Sequence, residues 1–154
     1  SITKIVKRLR DEAVSRRPGA VLTAAVWRRP ELARETYLQD AAAWLNDGLI
    51  ARAMPMIYTN KDESFSDDLA AWLAAAPGKP ITPGIANYLH APAQTATQIT
   101  LSRSAGARGA AIFAYASLFE SVDPNQDKKK EVVETRAARR KALVEFFATD
   151  GVKK

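Results

Sequence analysis

The feature that most constrains the fold of this chain is a nearly even alternation of short apolar runs with helical stretches. Four runs have the length and composition of buried strands and lack helical spacing, and they are Ala20–Trp27, Ala51–Thr59, Ile81–Tyr88 and Gly109–Ser117. Two adjacent parallel strands need a crossover of a dozen or more residues, usually a helix, to connect them. The stretches between these runs therefore predict right-handed βαβ units and a parallel sheet.

Helix start and stop signals lie between the predicted strands. Prolines near predicted helix starts and glycines just past predicted ends give the boundaries. The expected helices run from Ile2 to the Arg17-Pro18-Gly19 stop, from Pro30 to Asn46-Asp47-Gly48, over Asp67–Ala76 with Ser64 or Ser66 as cap, from Pro92 to Ser104, and from Asp123-Pro124 through Phe147.

This order predicts one α/β domain over residues 1–154, of which 123–150 form a long basic C-terminal helix. Two architectures fit four βα units with parallel strands. One is a small open doubly wound sheet, and the other is half of a (β/α)8 TIM-type barrel. A complete barrel needs about 250 residues, which exceeds the 154 in this chain.

Charge is concentrated in two segments of the chain, whose net charge is +6. Residues 1–17 carry six basic side chains against two acidic ones, and residues 128–141 carry seven against two. Solvated helix faces explain this pattern best, while an anionic surface or a nucleic acid remains the alternative partner. No apolar run approaches the length of a membrane span, and the amphipathic start predicts no signal peptide in these residues.

An aromatic residue lies at or near the carboxyl end of each predicted strand: Trp27, Tyr58, Tyr88 and Tyr115. In parallel α/β folds the ligand site lies beyond the carboxyl ends of the strands. Sugars have apolar faces and polar edges, so aromatic rings with polar neighbours are suited to a carbohydrate cleft. The alternative is that these rings plug the end of the sheet. The polar neighbours are Arg28, Thr59, Asn60, Asn87 and Ser117.

Other chemistries find little support in the sequence. The glycine-containing stretch 104–109 precedes a strand, which is the wrong order for a phosphate loop, so we expect no nucleotide cofactor. The chain has no cysteine, and its one histidine, His90, has no identifiable partners for a metal site, so we expect no metal. None of the predicted strands contains Asp or Glu. The nearest acids are Asp62, Glu63, Glu120 and Asp123, of which Glu120 is a weak catalytic candidate.

Several strings together resemble the C-terminal half of bacterial glycosyl-hydrolase-like (β/α)8 barrels, a family distantly related to chitinase-like barrels. The strings are Ala25-Val26-Trp27-Arg28, the stretch Tyr37 to Ile50, Met54-Pro55-Met56-Ile57-Tyr58, Pro83-Gly84-Ile85-Ala86-Asn87-Tyr88 and Gly109-Ala110-Ala111-Ile112-Phe113-Ala114-Tyr115. The likeness covers residues 5 to 120 and implies that this chain supplies the fifth to eighth strands. The family's catalytic acids would then lie in the first four units, which this chain lacks.

The resemblance implies that the chain is the carbohydrate-binding half of a glycoside hydrolase, whose parent acts on glycosidic bonds, including those of a cell-wall polysaccharide. Its substrate-binding residues would be Trp27, Tyr58, Asn60, Asn87, Tyr88 and Tyr115. The implied parent is secreted or periplasmic, and the implied partners are an oligo- or polysaccharide and a missing N-terminal half. One alternative is a non-catalytic half-barrel that forms a homo-oligomer through its open edges. The other is an anionic-surface or nucleic-acid binder that uses the terminal basic helices.

Overall fold

The computed structural model of the chain describes residues 1–119 and 130–149, with side chains from residue 134 onward in the second range. Helices and strands alternate after the first helix, as the sequence predicts. The helices are α1 Ile2–Arg16, α2 Pro30–Glu35, α3 Ala41–Asn46, α4 Asp62–Ala75, α5 Gln94–Ser104 and α6 Lys130–Thr149. The strands are β1 Thr23–Val26, β2 Arg52–Pro55, β3 Gly84–Ala86 and β4 Ala111–Phe113.

Every described strand pairing is parallel and follows chain order. β1 pairs with β2, and β3 pairs with β4. Two isolated parallel bridges, Ala53 to Ile81 and Met56 to Gly84, connect the two pairs. The predicted α/β class with parallel strands is confirmed. Each observed strand lies inside its predicted run and is shorter than it.

One face of the strands packs under the helices. Val26, Ala53 and Ile85 are fully buried and belong to one hydrophobic cluster, to which helices α2 to α6 contribute buried residues and against which α1 packs. The cluster includes Trp44 of α3 and Trp72 of α4, whose burial removes large apolar surfaces from water. Successive side chains along a strand point to opposite faces, so this pattern defines the helix-covered face.

The opposite face of the strands is covered unevenly. Thr23, Ala25 and Arg52 point to it from β1 and β2, and they are exposed. Gly84 and Ala86 of β3 are buried there. We call this the open face, since at β1 and β2 it meets solvent.

Two of the predicted helices have different boundaries in the structure. The third helix begins at Asp62, five residues before the predicted start, and Ser66 bonds to the Asp62 carbonyl inside it instead of capping it. The second helix is split into α2 and α3, where Leu38 has a positive φ of 57° and interrupts helical geometry. The predicted start at Asp123-Pro124 lies outside the described residues. Phe147, the expected last residue of that helix, is 45% exposed, whereas Phe146 packs on the core.

Candidate functional site

Two of the four predicted aromatics meet at the carboxyl ends of the strands. The rings of Tyr58 and Tyr88 contact edge to face, with centroids 6.4 Å apart. Phe113, the last residue of β4, stacks on Tyr58 at 5.4 Å and lies edge to face with Tyr88 at 6.2 Å. We call these three residues the aromatic trio. It draws one ring from the end of each of β2, β3 and β4.

Gly84 makes room for the trio on the open face. A Cβ at this position would lie 3.0 Å from the Tyr58 ring and 3.3 Å from the Pro55 carbonyl oxygen. The Tyr58 ring therefore rests directly on the β3 backbone and covers it. Burial, with a smaller effect of Tyr88, raises the pKa of Tyr58 above its ordinary value. A neutral tyrosine hydroxyl can both donate and accept a hydrogen bond.

The other two rings of the trio remain accessible. Tyr88 is 44% exposed and Phe113 is 52% exposed. A large exposed aromatic surface next to a tyrosine hydroxyl is the type of surface that binds ligands with one apolar and one polar side.

The remaining two predicted aromatics lie in separate pairs. Trp27 contacts Tyr37 at a centroid distance of 4.4 Å, and Tyr115 stacks on Phe119 at 4.6 Å. Tyr115 is 70% exposed, while the Trp27 indole N–H is buried and has no hydrogen-bond partner among the described residues. The structure thus brings together two of the four strand-end aromatics and adds Phe113, which the sequence analysis had assigned only to a strand.

The two predicted asparagines also differ from each other. Asn60 is exposed, and its carbonyl accepts a hydrogen bond of 2.6 Å from Gln94 Nε2. Asn87 is fully buried, and its Oδ1 accepts a hydrogen bond of 2.5 Å from the Ser117 hydroxyl. Its amide nitrogen has no partner in the described part of the chain. In this conformation Asn87 joins the loops after β3 and β4 and does not reach solvent.

Next to the trio, His90 belongs to a buried polar cluster that the sequence analysis missed. Only 3% of it is exposed. Its Nε2 lies 3.0 Å from the Thr59 carbonyl oxygen, and its Nδ1 lies 3.0 Å from the Thr95 hydroxyl. Because a carbonyl only accepts, we assign the proton to Nε2, and Nδ1 then accepts from Thr95. Burial lowers the pKa of His90, although the Thr59 hydrogen bond and the Asp62 charge oppose this effect.

Asp62, one of the acids nearest to the predicted strands, belongs to this same cluster. Its Oδ1 accepts hydrogen bonds of 3.2 Å from the side-chain amides of both Gln94 and Gln98. Gln98 Nε2 also donates to the Thr59 carbonyl at 3.0 Å. The cluster therefore ties the loop after β2 to the first turns of α4 and α5. Glu120 and Asp123 lie outside the described residues.

Arg28, a predicted neighbour of Trp27, is held by the helix layer. Asp68 of α4 is 3% exposed, and its two oxygens accept from Arg28 Nε at 2.7 Å and from Arg29 Nε at 3.0 Å. The Trp72 indole donates to the Arg28 carbonyl at 3.0 Å. Asp68 stands among apolar residues of a helix, and a carboxylate that is buried there needs a charged partner. Its position in the sequence was therefore an available signal for this ion pair.

The two basic helices present their charge differently. All six basic residues of residues 1–17 are exposed, as expected for a solvated face. On α6, in contrast, Arg136 is buried and Arg139 and Arg140 are half-buried.

No described helix is long and apolar enough to cross a membrane. Across residues 1–119 and the described part of α6, no three His, Asp or Glu side chains group as a metal site would require.

The described geometry combines an accessible aromatic surface with a buried polar cluster. The aromatic trio is exposed on one side, and the polar cluster fixes the backbone beside it. A search of protein-family models, one of curated proteins and one of solved structures each find no match to this chain. The ground for a function is therefore the arrangement of its own residues.

Proposed function

We propose that this chain is the carbohydrate-binding half of a glycoside hydrolase barrel, with the aromatic trio as the centre of its sugar-binding surface. The observation that carries this proposal is the convergence of Tyr58, Tyr88 and Phe113 from three successive strand ends. Parallel α/β folds bind their ligands at that end of the sheet.

Sugar recognition matches the chemistry of the trio. The exposed faces of Tyr88 and Phe113 offer apolar area to the C–H faces of a pyranose ring. Tyrosine hydroxyls can pair with the polar edges of the sugar. Trp27 at the end of β1, and Asn60 and Tyr115 beyond the trio residues of β2 and β4, would contact further sugar units of a longer chain.

The test is a paired measurement on Tyr58→Ala and Tyr58→Phe. Calorimetric titration with tetramers of N-acetylglucosamine and of glucose gives the affinity, and thermal unfolding gives the stability. Loss of the ring should weaken binding by about 1–3 kcal/mol, whereas loss of the hydroxyl alone should have a smaller effect.

Phe147→Ala is the control, because Phe147 of α6 is an aromatic residue, 45% exposed, whose ring contacts Phe146 and no ring of the aromatic trio. It should leave the affinity unchanged. If Tyr58 only plugs the sheet, Tyr58→Ala should cost about 3–5 kcal/mol of stability, and the wild-type chain should bind neither tetramer. We expect no hydrolysis by this chain alone, so turnover that Glu120→Gln abolishes would contradict that part of the proposal.

The second candidate is a half-barrel that associates with another half, and the edge of β1 favours it. Alternate residues of a strand direct their backbone groups to opposite sides, and the Leu22 and Val26 carbonyls accept from the β2 segment. The backbone groups of Thr23 and Ala25 therefore point away from β2, to a side of β1 on which no described strand lies. Unpaired edges of this kind promote pairing between chains. Light scattering over a range of concentrations tests this candidate, and a concentration-independent monomer of 16.8 kDa would contradict it.

A further inference from the structure

One side chain of the last helix spans the two loops that follow β3 and β4. Arg139 of α6 donates from Nη2 to the Tyr88 carbonyl at 3.0 Å and to the His90 carbonyl at 3.2 Å. Its Nε also donates to the His90 carbonyl at 3.3 Å, and its Nη1 reaches the Ser117 carbonyl at 3.5 Å. The neighbouring Arg140 donates to the Leu118 carbonyl. The loops that carry Tyr88 and follow Phe113 are therefore held by the same helix.

The chemistry of the guanidinium suits this position. Its planar group carries five N–H donors in a fixed arrangement, so a single side chain can serve several carbonyls at once. A lysine ammonium is a point charge and cannot reproduce that fork. Arg139 is half-buried, and this burial, with a smaller contribution from Arg136, lowers the pKa of its guanidinium. Among the described residues, no carboxylate forms an ion pair with this guanidinium, whose hydrogen-bond partners there are backbone carbonyls.

Anchoring of the helix itself depends on other residues. Leu143 is 7% exposed and belongs to the hydrophobic cluster, against which Phe146 also packs. The Arg103 guanidinium of α5 lies 5.2 Å from the centre of the Phe146 ring. These contacts lie one to two turns beyond Arg139, so α6 stays attached to α5 and the core without it.

We propose that Arg139 is a positioning residue of the sugar-binding surface, which fixes the Tyr88 loop against the loop after β4 and so sets the geometry of the aromatic trio. This inference rests on the proposed function and adds to it a residue that lies outside the set expected from the sequence. Arg139 acts through the backbone and does not itself need to contact the sugar.

The experiment compares Arg139→Gln, Arg139→Lys, Leu143→Ala and Lys141→Gln in the full chain. Leu143→Ala loosens α6 without touching the loops. Lys141→Gln removes one positive charge from an exposed position of the same helix, 77% accessible, that pairs only with Glu145 in the described structure. Each variant is measured for affinity to the N-acetylglucosamine and glucose tetramers, for melting temperature, and for amide hydrogen exchange in residues 87–90 and 114–118.

For Arg139→Gln we expect about tenfold or greater loss of affinity, together with faster amide exchange in both loops. Arg139→Lys should lie between Arg139→Gln and the wild type. Leu143→Ala should lower the melting temperature without a comparable loss of affinity, and Lys141→Gln should match the wild type.

Two results would overturn the inference. The first is that amide hydrogen exchange in the two loops is unchanged in Arg139→Gln. The second is that Arg139→Gln and Leu143→Ala lose the same affinity for each degree by which the melting temperature falls. Failure of the wild-type chain to bind either tetramer would contradict the carbohydrate proposal instead. In that case, the rate of amide hydrogen exchange in residues 87–90 and 114–118 of Arg139→Gln would decide by itself whether Arg139 fixes the two loops.

Discussion

The two faces of the strands are built from the same four segments, yet they have opposite characters at β1 and β2. On the helix-covered face, Val26 and Ala53 are completely buried. On the open face, Thr23, Ala25 and Arg52 meet solvent. At β3 the open face is again covered, by the Tyr58 ring over Gly84. The difference separates a face that stabilises the fold from one that is available for a ligand or another chain.

The largest effect is expected from a cavity under the helix-covered face. Trp72 is 1% exposed, and its indole donates to the Arg28 carbonyl at 3.0 Å. Trp72→Ala should therefore lower the free energy of unfolding by about 3–5 kcal/mol, measured by urea denaturation. Val21→Ala is the control, because Val21 is 71% exposed and should change stability by less than about 0.5 kcal/mol. Equal effects of the two substitutions would contradict the assignment of the faces.

A smaller effect is expected at the ion pair of the helix layer. Asp68 is buried, while its partners Arg28 and Arg29 have side chains 36% and 51% exposed. Asp68→Asn removes the charge but keeps the shape, and it should cost about 1–3 kcal/mol, because water partly solvates the two arginines. Asp67→Asn, at the exposed neighbouring position, should be nearly neutral in the same unfolding assay. A neutral Asp68→Asn would show that the pair orients the loop without stabilising it.

The pH dependence of stability tests the polar cluster beside the trio. The folded pKa of His90 is lowered below the ordinary value of 6.5, chiefly by burial. The unfolded chain then binds more protons, so stability is complete above pH 6.5 and decreases as pH falls from 6.5 toward the folded pKa. His90→Gln should have a flatter melting temperature between pH 7 and 5 than the wild type. As His90 is the only histidine, its imidazole resonance gives the titration directly, and a titration midpoint above 6.5 would reverse the prediction.

The smallest effect on stability is expected on the open face. Ala25→Glu adds a charge at an exposed position of β1 and should change the free energy of unfolding by less than about 0.5 kcal/mol. If the half-barrel associates through this strand, the same substitution should abolish the oligomer seen in light scattering. A large loss of stability in a monomeric wild-type protein would mean that the face is packed internally.

The fold was largely predictable because its signals are local. Apolar runs of strand length located all four strands, and the prolines and glycines located most helix ends. The start of α4 was missed because Lys61 precedes it without a side-chain cap. Asp62 and Glu63 lie in the first turn of α4, where the helix dipole favours acidic side chains, and this pair was a signal for the true start of the helix.

The candidate site was less predictable because its contacts span loops of unknown path. The positions of Tyr58 and Tyr88 at strand ends followed from the sequence, but whether four such rings converge depends on the turns that follow each strand. Tyr115 contacts Phe119, four residues later, and Trp27 contacts Tyr37, ten residues later. His90 finds its acceptor, Thr59, 31 residues earlier, and no local pattern announces such a bond.

The close approach of the Tyr58 ring to Gly84 has a consequence for how this protein can change over evolutionary time. Because the ring occupies the space of a Cβ, residues 58 and 84 form a single steric unit. A larger residue at position 84 requires either a smaller residue at position 58 or a displaced ring. Natural variants of this chain should therefore substitute the two positions together, and a pair of single variants with their double would measure that coupling directly.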